Sequence, residues 1–284
     1  MIKRGKYIIL DGEFKLSSEP CLYAGNRGFL NAEVVSVSMR ACSGKAFYFS
    51  YYFESLISQL NSMGIAIPAM LKEKILEHDV FLLLQKSRIY QGAFVRINVF
   101  RNQNDNFFYS DDDKISILIE AWEHKEQTYS FDKNPLQAVV NEDIILPSTG
   151  NINFYSLPLS LKANLRKKHN EKGNIVHFLM NDLGYITQTP QSNLAFIIDR
   201  EIYLPPESSL ISKDIILDAF IDGCLAAKYK LFENINLKPL DLANFDEILL
   251  IDSLHGIRWI GSFGEKRYLR NQSEKLSNLL ASNA

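Results

Sequence analysis

Residues 184–194 read GYITQTPQSNL, and this stretch decides which fold the second half of the chain adopts. Gly184 ends a turn, and the apolar residues on either side of the polar segment 188–193 predict two short strands joined by a tight connection. A third strand follows and ends at Pro205 and Pro206. The second half of the chain therefore contains a sheet.

Helices and further strands are predicted on both sides of this stretch. Apolar residues at helical spacing predict helices over 53–63 and 69–86, and further helices over 156–170 and 211–220. Alternating or β-branched runs predict the remaining strands, at 7–10, 34–39, 94–100, 115–119, 175–180 and 247–251. Because both halves mix strands with helices, the predicted fold class is α+β or α/β.

The chain is long enough for two domains, and one segment suits the boundary between them. Its 284 residues exceed the usual size of a single domain. The segment 125–149 has no clear periodicity and carries Pro135 and Pro147, so we predict that it is a linker. The predicted domains are residues 1–125 and 126–284.

Composition favours a soluble cytoplasmic protein. The formal charge is −2, which gives no electrostatic reason to expect nucleic acid or an anionic membrane as partner. No apolar stretch approaches the roughly 18 residues of a membrane span, and the apolar run after the basic N-terminus is too short for a signal peptide. Three widely spaced cysteines suit a reducing compartment. The five histidines lack partners at metal-ligand spacing, so no metal site is predicted.

The common motifs of nucleotide binding and hydrolysis are missing. The sequence contains no G-x-x-x-x-G-K-[ST], G-x-G-x-x-G, G-x-S-x-G or H-E-x-x-H. Composition and periodicity alone therefore indicate a two-domain mixed protein without specifying its chemistry.

Three segments in order carry a resemblance to a known family. Residues 26–30, NRGFL, with Arg40 and the helix at 53–63, are similar to N-R-G-F-x-Y-G-D-G-x-F-E-x-x-R and the helix after it. Residues 184–194 are similar to G-x-V-x-E-x-x-x-S-N-I, and residues 247–257, EILLIDSLHGI, to E-V-F-L-T-N-S-x-x-G-I. The chain resembles the class IV aminotransferases, which are pyridoxal-phosphate enzymes of fold type IV. They include branched-chain and D-amino-acid aminotransferases and aminodeoxychorismate lyase.

The resemblance implies an architecture and an assembly. It implies a smaller N-terminal α+β domain and a larger C-terminal pseudo-barrel domain. It also implies a homodimer, with a cleft between the domains that holds pyridoxal phosphate or another small molecule.

The positions that hold the cofactor's phosphate in the family are largely changed here. The arginine position falls on Ser55, and the threonine positions fall on Ile216 and Ile251. Counting from Pro205-Pro206 without gaps places the family's helix-start glycine on Asp214. A phosphate dianion needs cations and backbone N–H donors, so these replacements predict weak or absent binding of pyridoxal phosphate.

The positions for the cofactor ring and aldehyde are also altered. The acid that partners the pyridine nitrogen falls on Gln188, and a neutral amide cannot stabilise a pyridinium as a carboxylate does. The Schiff-base lysine falls on Tyr155 in an ungapped count, whereas a gapped count uses Lys162. Ser192 and Asn193 match the family pattern and serve either the backbone or a ligand.

Three functions follow as hypotheses. The first is a class IV protein with a degenerate site and little or no pyridoxal-phosphate catalysis, a pseudoenzyme with a structural, regulatory or ligand-binding role. The second is an active aminotransferase or lyase that acts on amino acids or aminodeoxychorismate through Lys162. The third is an enzyme that uses the same cleft without the cofactor, through Tyr155 or Asp214.

Overall fold

A computed structural model describes residues 3–68, 71–102, 114–148, 174–207 and 213–282. The chain divides into two compact units, Met1–Thr128 and Tyr129–Ala284. Strands and helices occur in both units, which confirms the predicted mixed fold class. Tyr155, Lys162 and the helix predicted over 156–170 lie outside the described residues.

The first unit is an antiparallel sheet with helices. Its strands are β1 (Lys3–Arg4), β2 (Tyr7–Leu10), β3 (Glu13–Leu16), β4 (Val34–Cys42), β5 (Lys45–Ala46), β6 (Gly92–Arg101) and β7 (Ile115–His124). Its helices are α1 (Arg27–Leu30), α2 (Phe49–Ser62) and α3 (Glu73–Lys86). The sheet order is β3-β2-β7-β6-β4-β5, and β1 pairs with β7.

Buried apolar faces explain why this sheet and its helices pack together. In β6 every second residue from Ala93 to Val99 is almost fully buried, as a strand with one covered face requires. Helix α2 packs against β4 and buries Leu56 and Leu60, which lie one turn apart. The predicted helix over 53–63 is thus confirmed, although it begins earlier, at Phe49.

The described residues of the second unit form nine strands in one sheet. They are β8 (Leu136–Leu146), β9 (Ile175–Asn181), β10 (Ile186–Gln188), β11 (Asn193–Ile198), β12 (Glu201–Tyr203), β13 (Lys230–Phe232), β14 (Glu247–Asp252), β15 (Gly256–Phe263) and β16 (Lys266–Arg267). Its helices are α4 (Ile216–Ala226), α5 (Asn271–Ser282) and a 3-10 turn, Pro239–Asn244.

Six of these strands close on themselves. Hydrogen-bonded neighbours follow the order β10-β9-β8-β15-β14-β11, and a pairing between β10 and β11 completes the ring. This closed arrangement is the pseudo-barrel that the resemblance implies. Its strands contribute to one apolar cluster, in which Phe178, Phe196, Ile248 and Ile260 are fully buried.

The prediction that 125–149 is a linker is wrong, because strand β8 lies within this segment. The side-chain oxygen of Asn141 accepts hydrogen bonds from the backbone N–H groups of Asp143 and Ile144, both at 3.1 Å. The register with β9 shifts between Val140 and Ile145. This bulge interrupts the two-residue alternation, so the strand is not visible as a periodic pattern.

The C-terminal elements of the second unit also went unpredicted. Strand β15 and helix α5 were not expected, and α4 begins later than the predicted 211–220, at Ile216. No helix in the described ranges combines the length and the apolar character that crossing a bilayer demands.

Candidate functional site

Three chain segments of the second unit meet around one carboxylate. They are the start of β11 at Asn193, the residues before α4 at Asp214, and the turn that follows β14 at Ser253. The ladder fixes two of these segments, because Asn193 pairs directly with Ile251 across β11 and β14. We refer to Asp214, Ser253 and the Ile216 backbone N–H as the α4 cup.

The carboxylate of Asp214 accepts a hydrogen bond from each donor of the cup. The backbone N–H of Ser253 donates to Oδ2 at 2.9 Å, and the Ser253 hydroxyl donates to Oδ1. The N–H of Ile216, in the first turn of α4, donates to Oδ1 at 3.1 Å. The Asp214 N–H itself donates to the side-chain oxygen of Asn193 at 2.6 Å, which holds the residue in place.

Burial shifts the pKa of the Asp214 carboxyl. Burial raises the pKa of the Asp214 carboxyl to about 6, although the Ser253 hydrogen bonds act in the opposite direction. The negative charge of Asp252 adds to the rise. The carboxyl is therefore largely ionised at neutral pH and becomes neutral in mildly acidic solution.

A second carboxylate, Asp252, lies beside the cup and has its own partners. The Ser192 hydroxyl donates to Oδ2 at 2.8 Å, and an Arg258 Nη2 donates to the same oxygen at 3.0 Å. The His255 Nδ1 lies 2.8 Å from Oδ1. Burial alone would raise the pKa of Asp252, but the hydrogen bond and charge of His255 and the charge of Arg258 hold it well below its usual range.

The turn that carries Ser253 is held from outside by an aromatic ring. The Tyr129 hydroxyl donates to the Ser253 carbonyl at 2.9 Å. Gly256 ends the turn with φ +71°, and a Cβ there would lie 2.7 Å from the Tyr129 ring. Only glycine combines that backbone conformation with that close approach.

The structure brings together most of the residues predicted from the sequence. Gln188 pairs with Asn193 across β10 and β11, and Asn193 pairs with Ile251 on its other side. Ile216 contributes its backbone N–H to the cup, and Ser192 holds the neighbouring Asp252. Gln188 and Ile251 are almost fully buried.

Ser55 lies on α2 in the first unit. Its hydroxyl accepts a hydrogen bond from the Gln59 side chain at 3.0 Å, one turn along the same helix. It carries no positive charge, as the sequence shows.

Sequence reasoning did not single out Ser253, Asp252 or Arg258. Their signal is weak, because each is a common residue at a strand end and their partners are distant in the chain. Asp214 was noted as a replacement for glycine and as a candidate residue of the cofactor-free enzyme hypothesis. Its pairing with Ser253, 39 positions away, could not be read from the sequence.

The described residues hold no cluster of three or more potential metal ligands. Separately, the cup brings three donors, the Ser253 N–H, the Ser253 hydroxyl and the Ile216 N–H, to one side-chain carboxylate.

Comparisons with known proteins place the chain in a family. The sequence profile of class IV amino-transferases matches residues 37–263. No curated protein sequence matches.

Solved structures with the same fold span almost the whole chain. A structure from Legionella pneumophila named as a 4-amino-4-deoxychorismate lyase has a TM-score of 0.81 and 19% identity, covering 94% of this chain and 97% of its own. The branched-chain aminotransferase from Escherichia coli has a TM-score of 0.82 and 14% identity, covering 99% and 96%. The PLP-bound form of a hypothetical aminotransferase from Mycobacterium tuberculosis has a TM-score of 0.81 and 14% identity, covering 98% of each chain. With the profile matching most of its length, the chain belongs to the class IV aminotransferase family.

Proposed function

We propose that this chain keeps the class IV fold but does not carry out pyridoxal-phosphate catalysis. It is a pseudoenzyme of the family, and its role rests on binding or assembly rather than on cofactor chemistry. The observation that carries the proposal is the Asp214 carboxylate, which takes every donor of the α4 cup.

A phosphate dianion does not fit this cup as the chain stands. The donors at the start of α4 and after β14 are the kind that bind phosphate, but here they already bind a carboxylate. A unit negative charge about 4 Å from another costs on the order of 4 kcal/mol at an effective dielectric near 20. Asp252 adds a second negative charge nearby, and its Arg258 partner is already engaged.

Gln188, at the position whose acid partners the pyridine nitrogen in the family, supports the same proposal. Gln188 is almost fully buried and its side-chain N–H donates to the Thr189 carbonyl at 3.3 Å. Its amide carries no charge, so it cannot hold a proton on a pyridine nitrogen by ion pairing. The electron-sink chemistry of pyridoxal phosphate depends on that proton.

The experiment that tests the proposal uses the purified full-length chain. Pyridoxal phosphate is added, and the visible absorption band of the lysine-bound cofactor is followed before and after borohydride reduction. Mass spectrometry then maps any reduced adduct, with Lys162→Ala as the matched control. We expect no stoichiometric band in the unmodified chain.

One result would overturn the proposal. A reducible band that maps to Lys162 and disappears in Lys162→Ala would establish the competing function, an active aminotransferase or lyase that acts on amino acids or aminodeoxychorismate. Scattered labelling of surface lysines that survives Lys162→Ala leaves the proposal standing.

Assembly and location belong to the same proposal. We expect a homodimer, as the family resemblance implies, and a cytoplasmic location. None of Cys21, Cys42 and Cys224 is in a disulfide, which agrees with a reducing compartment. Light scattering on the purified chain tests the dimer, and a monomer at micromolar concentration would contradict it.

A further inference from the structure

The α4 cup differs from an ordinary helix cap in where its donors come from. Helix α5 provides the comparison within the same unit. The Glu247 carboxylate accepts the N–H groups of Gln272 and Ser273, both at 2.8 Å, and also the Ser273 hydroxyl. All of those donors belong to the first turn of one helix, so Glu247 is a cap.

The donors around Asp214 come from two separate elements. Ile216 belongs to α4, whereas Ser253 follows β14 and lies 39 positions from Asp214. Ser253 donates both its N–H and its hydroxyl, and the Tyr129 ring holds its turn in position. Donors that converge from two elements on one point form a site for an anion rather than the end of one helix.

We infer that the Asp214 carboxylate is a built-in replacement for a ligand's phosphate. Its two oxygens occupy the convergent donors, so no phosphorylated ligand is needed to satisfy those donors. This inference rests on the proposed function and extends it, because it states what holds the cup together in place of the cofactor. It also restricts any natural ligand of this unit to molecules that do not place a phosphate in the cup.

The charged side chains beside the cup favour one anion in it and disfavour a second. The Asn193 side-chain oxygen accepts the Asp214 backbone N–H at 2.6 Å, which fixes the backbone position from which the carboxylate projects. Arg258 is bound to Asp252 and Ser192, at 3.0 and 3.1 Å, and so faces an anion that it already neutralises. A second anion in the cup would meet two carboxylates, those of Asp214 and Asp252.

The inference predicts that removing the carboxylate opens the cup to external phosphate. Asp214→Gly removes the whole side chain, and Asp214→Ser leaves a hydroxyl that can cap Ile216 while freeing Ser253. The matched control is Asp246→Ser. The Asp246 carboxylate accepts the Asp199 N–H at 3.2 Å, but it precedes β14, at the end of the strand opposite Ser253.

The experiment titrates inorganic phosphate into the full-length proteins by calorimetry and follows the thermal midpoint, with chloride at equal ionic strength. We expect saturable heat and a rising midpoint for both Asp214 variants. Their affinity should exceed that of the unmodified chain and of Asp246→Ser by roughly tenfold or more, as charge-assisted hydrogen bonds to a freed site require.

The inference is overturned if the Asp214 variants bind phosphate no more tightly than the unmodified chain does. If both variants are unfolded without phosphate, recovery of folded protein on refolding in phosphate supports the inference, and no recovery overturns it. The proposed function is judged separately. It fails when Lys162 of the unmodified chain carries pyridoxal phosphate, whatever the phosphate titrations show.

Discussion

Replacing Asp214 with asparagine should remove one component of the pH dependence of stability. Burial raises the pKa of this carboxyl from 3.8 to about 6 in the folded chain. A group whose pKa rises on folding binds protons more tightly in the folded state. Its stabilising contribution is therefore fully present below the unfolded pKa and is lost as the pH rises through the folded pKa.

The size of the component follows from the two pKa values. Between about pH 4 and pH 7, a rise from 3.8 to about 6 corresponds to a loss of about 2 kcal/mol in the free energy of unfolding. Asp214 is partly exposed, so screening by water makes this an upper value. Two charged neighbours, Asp252 and Lys213, keep their charge over this range. Asp252 has a lowered pKa and Lys213 a raised one.

Urea unfolding measures the contribution of Asp214 to the pH dependence of stability directly. The unmodified chain and Asp214→Asn are compared at several pH values between about 4 and 7. We expect the stability of the unmodified chain relative to the variant to fall by about 2 kcal/mol over this range. Asp246→Asn serves as the control, because it removes a carboxylate that lies outside the cup. If the curves for the unmodified chain and Asp214→Asn run parallel, folding does not raise the pKa of the Asp214 carboxyl, and the reasoning is wrong.

Two further substitutions probe the surroundings of the cup by denaturant unfolding. Gly256→Ala forces a Cβ to 2.7 Å from the Tyr129 ring at φ +71°, so it should destabilise the chain by about 2–4 kcal/mol. Gly264→Ala has φ +55° but meets nothing within 4 Å, so its cost should be only about 1 kcal/mol, and equal costs would refute the steric argument. Ser192→Ala removes one donor to Asp252 at 2.8 Å and should cost about 1–3 kcal/mol, whereas an unchanged midpoint would show that Arg258 suffices.

The strands marked by an alternating pattern or an unbroken apolar run were predictable, and the irregular ones were not. Strand β2 runs over Tyr7–Leu10 as predicted, because its apolar run is short and bounded by the turn at Asp11 and Gly12. Strand β8 was taken for a linker, because the Asn141 side chain replaces ladder bonds with local ones and breaks the alternation. Local hydrogen bonding of this kind leaves no two-residue pattern to read.

The site could be predicted as a set of positions but not as a set of contacts. Sequence resemblance located Asp214 and Asn193 independently, one as a replacement and the other as a retained residue. Their hydrogen bond at 2.6 Å depends on where α4 begins relative to β11. That relation is set by the closing of the barrel, in which β10, β11 and β14 lie side by side.

The retained family residues do not by themselves indicate retained chemistry. Asn193 accepts the Asp214 N–H, and Ser192 donates to Asp252, so both have partners within the fold. Gly256 is required by its positive φ and by the Tyr129 ring. Each of these residues would be needed in a protein with this barrel whether or not a cofactor were bound. Under the proposed function the residue that distinguishes the two cases is Asp214, because its carboxylate takes the donors that we propose a phosphate would otherwise use.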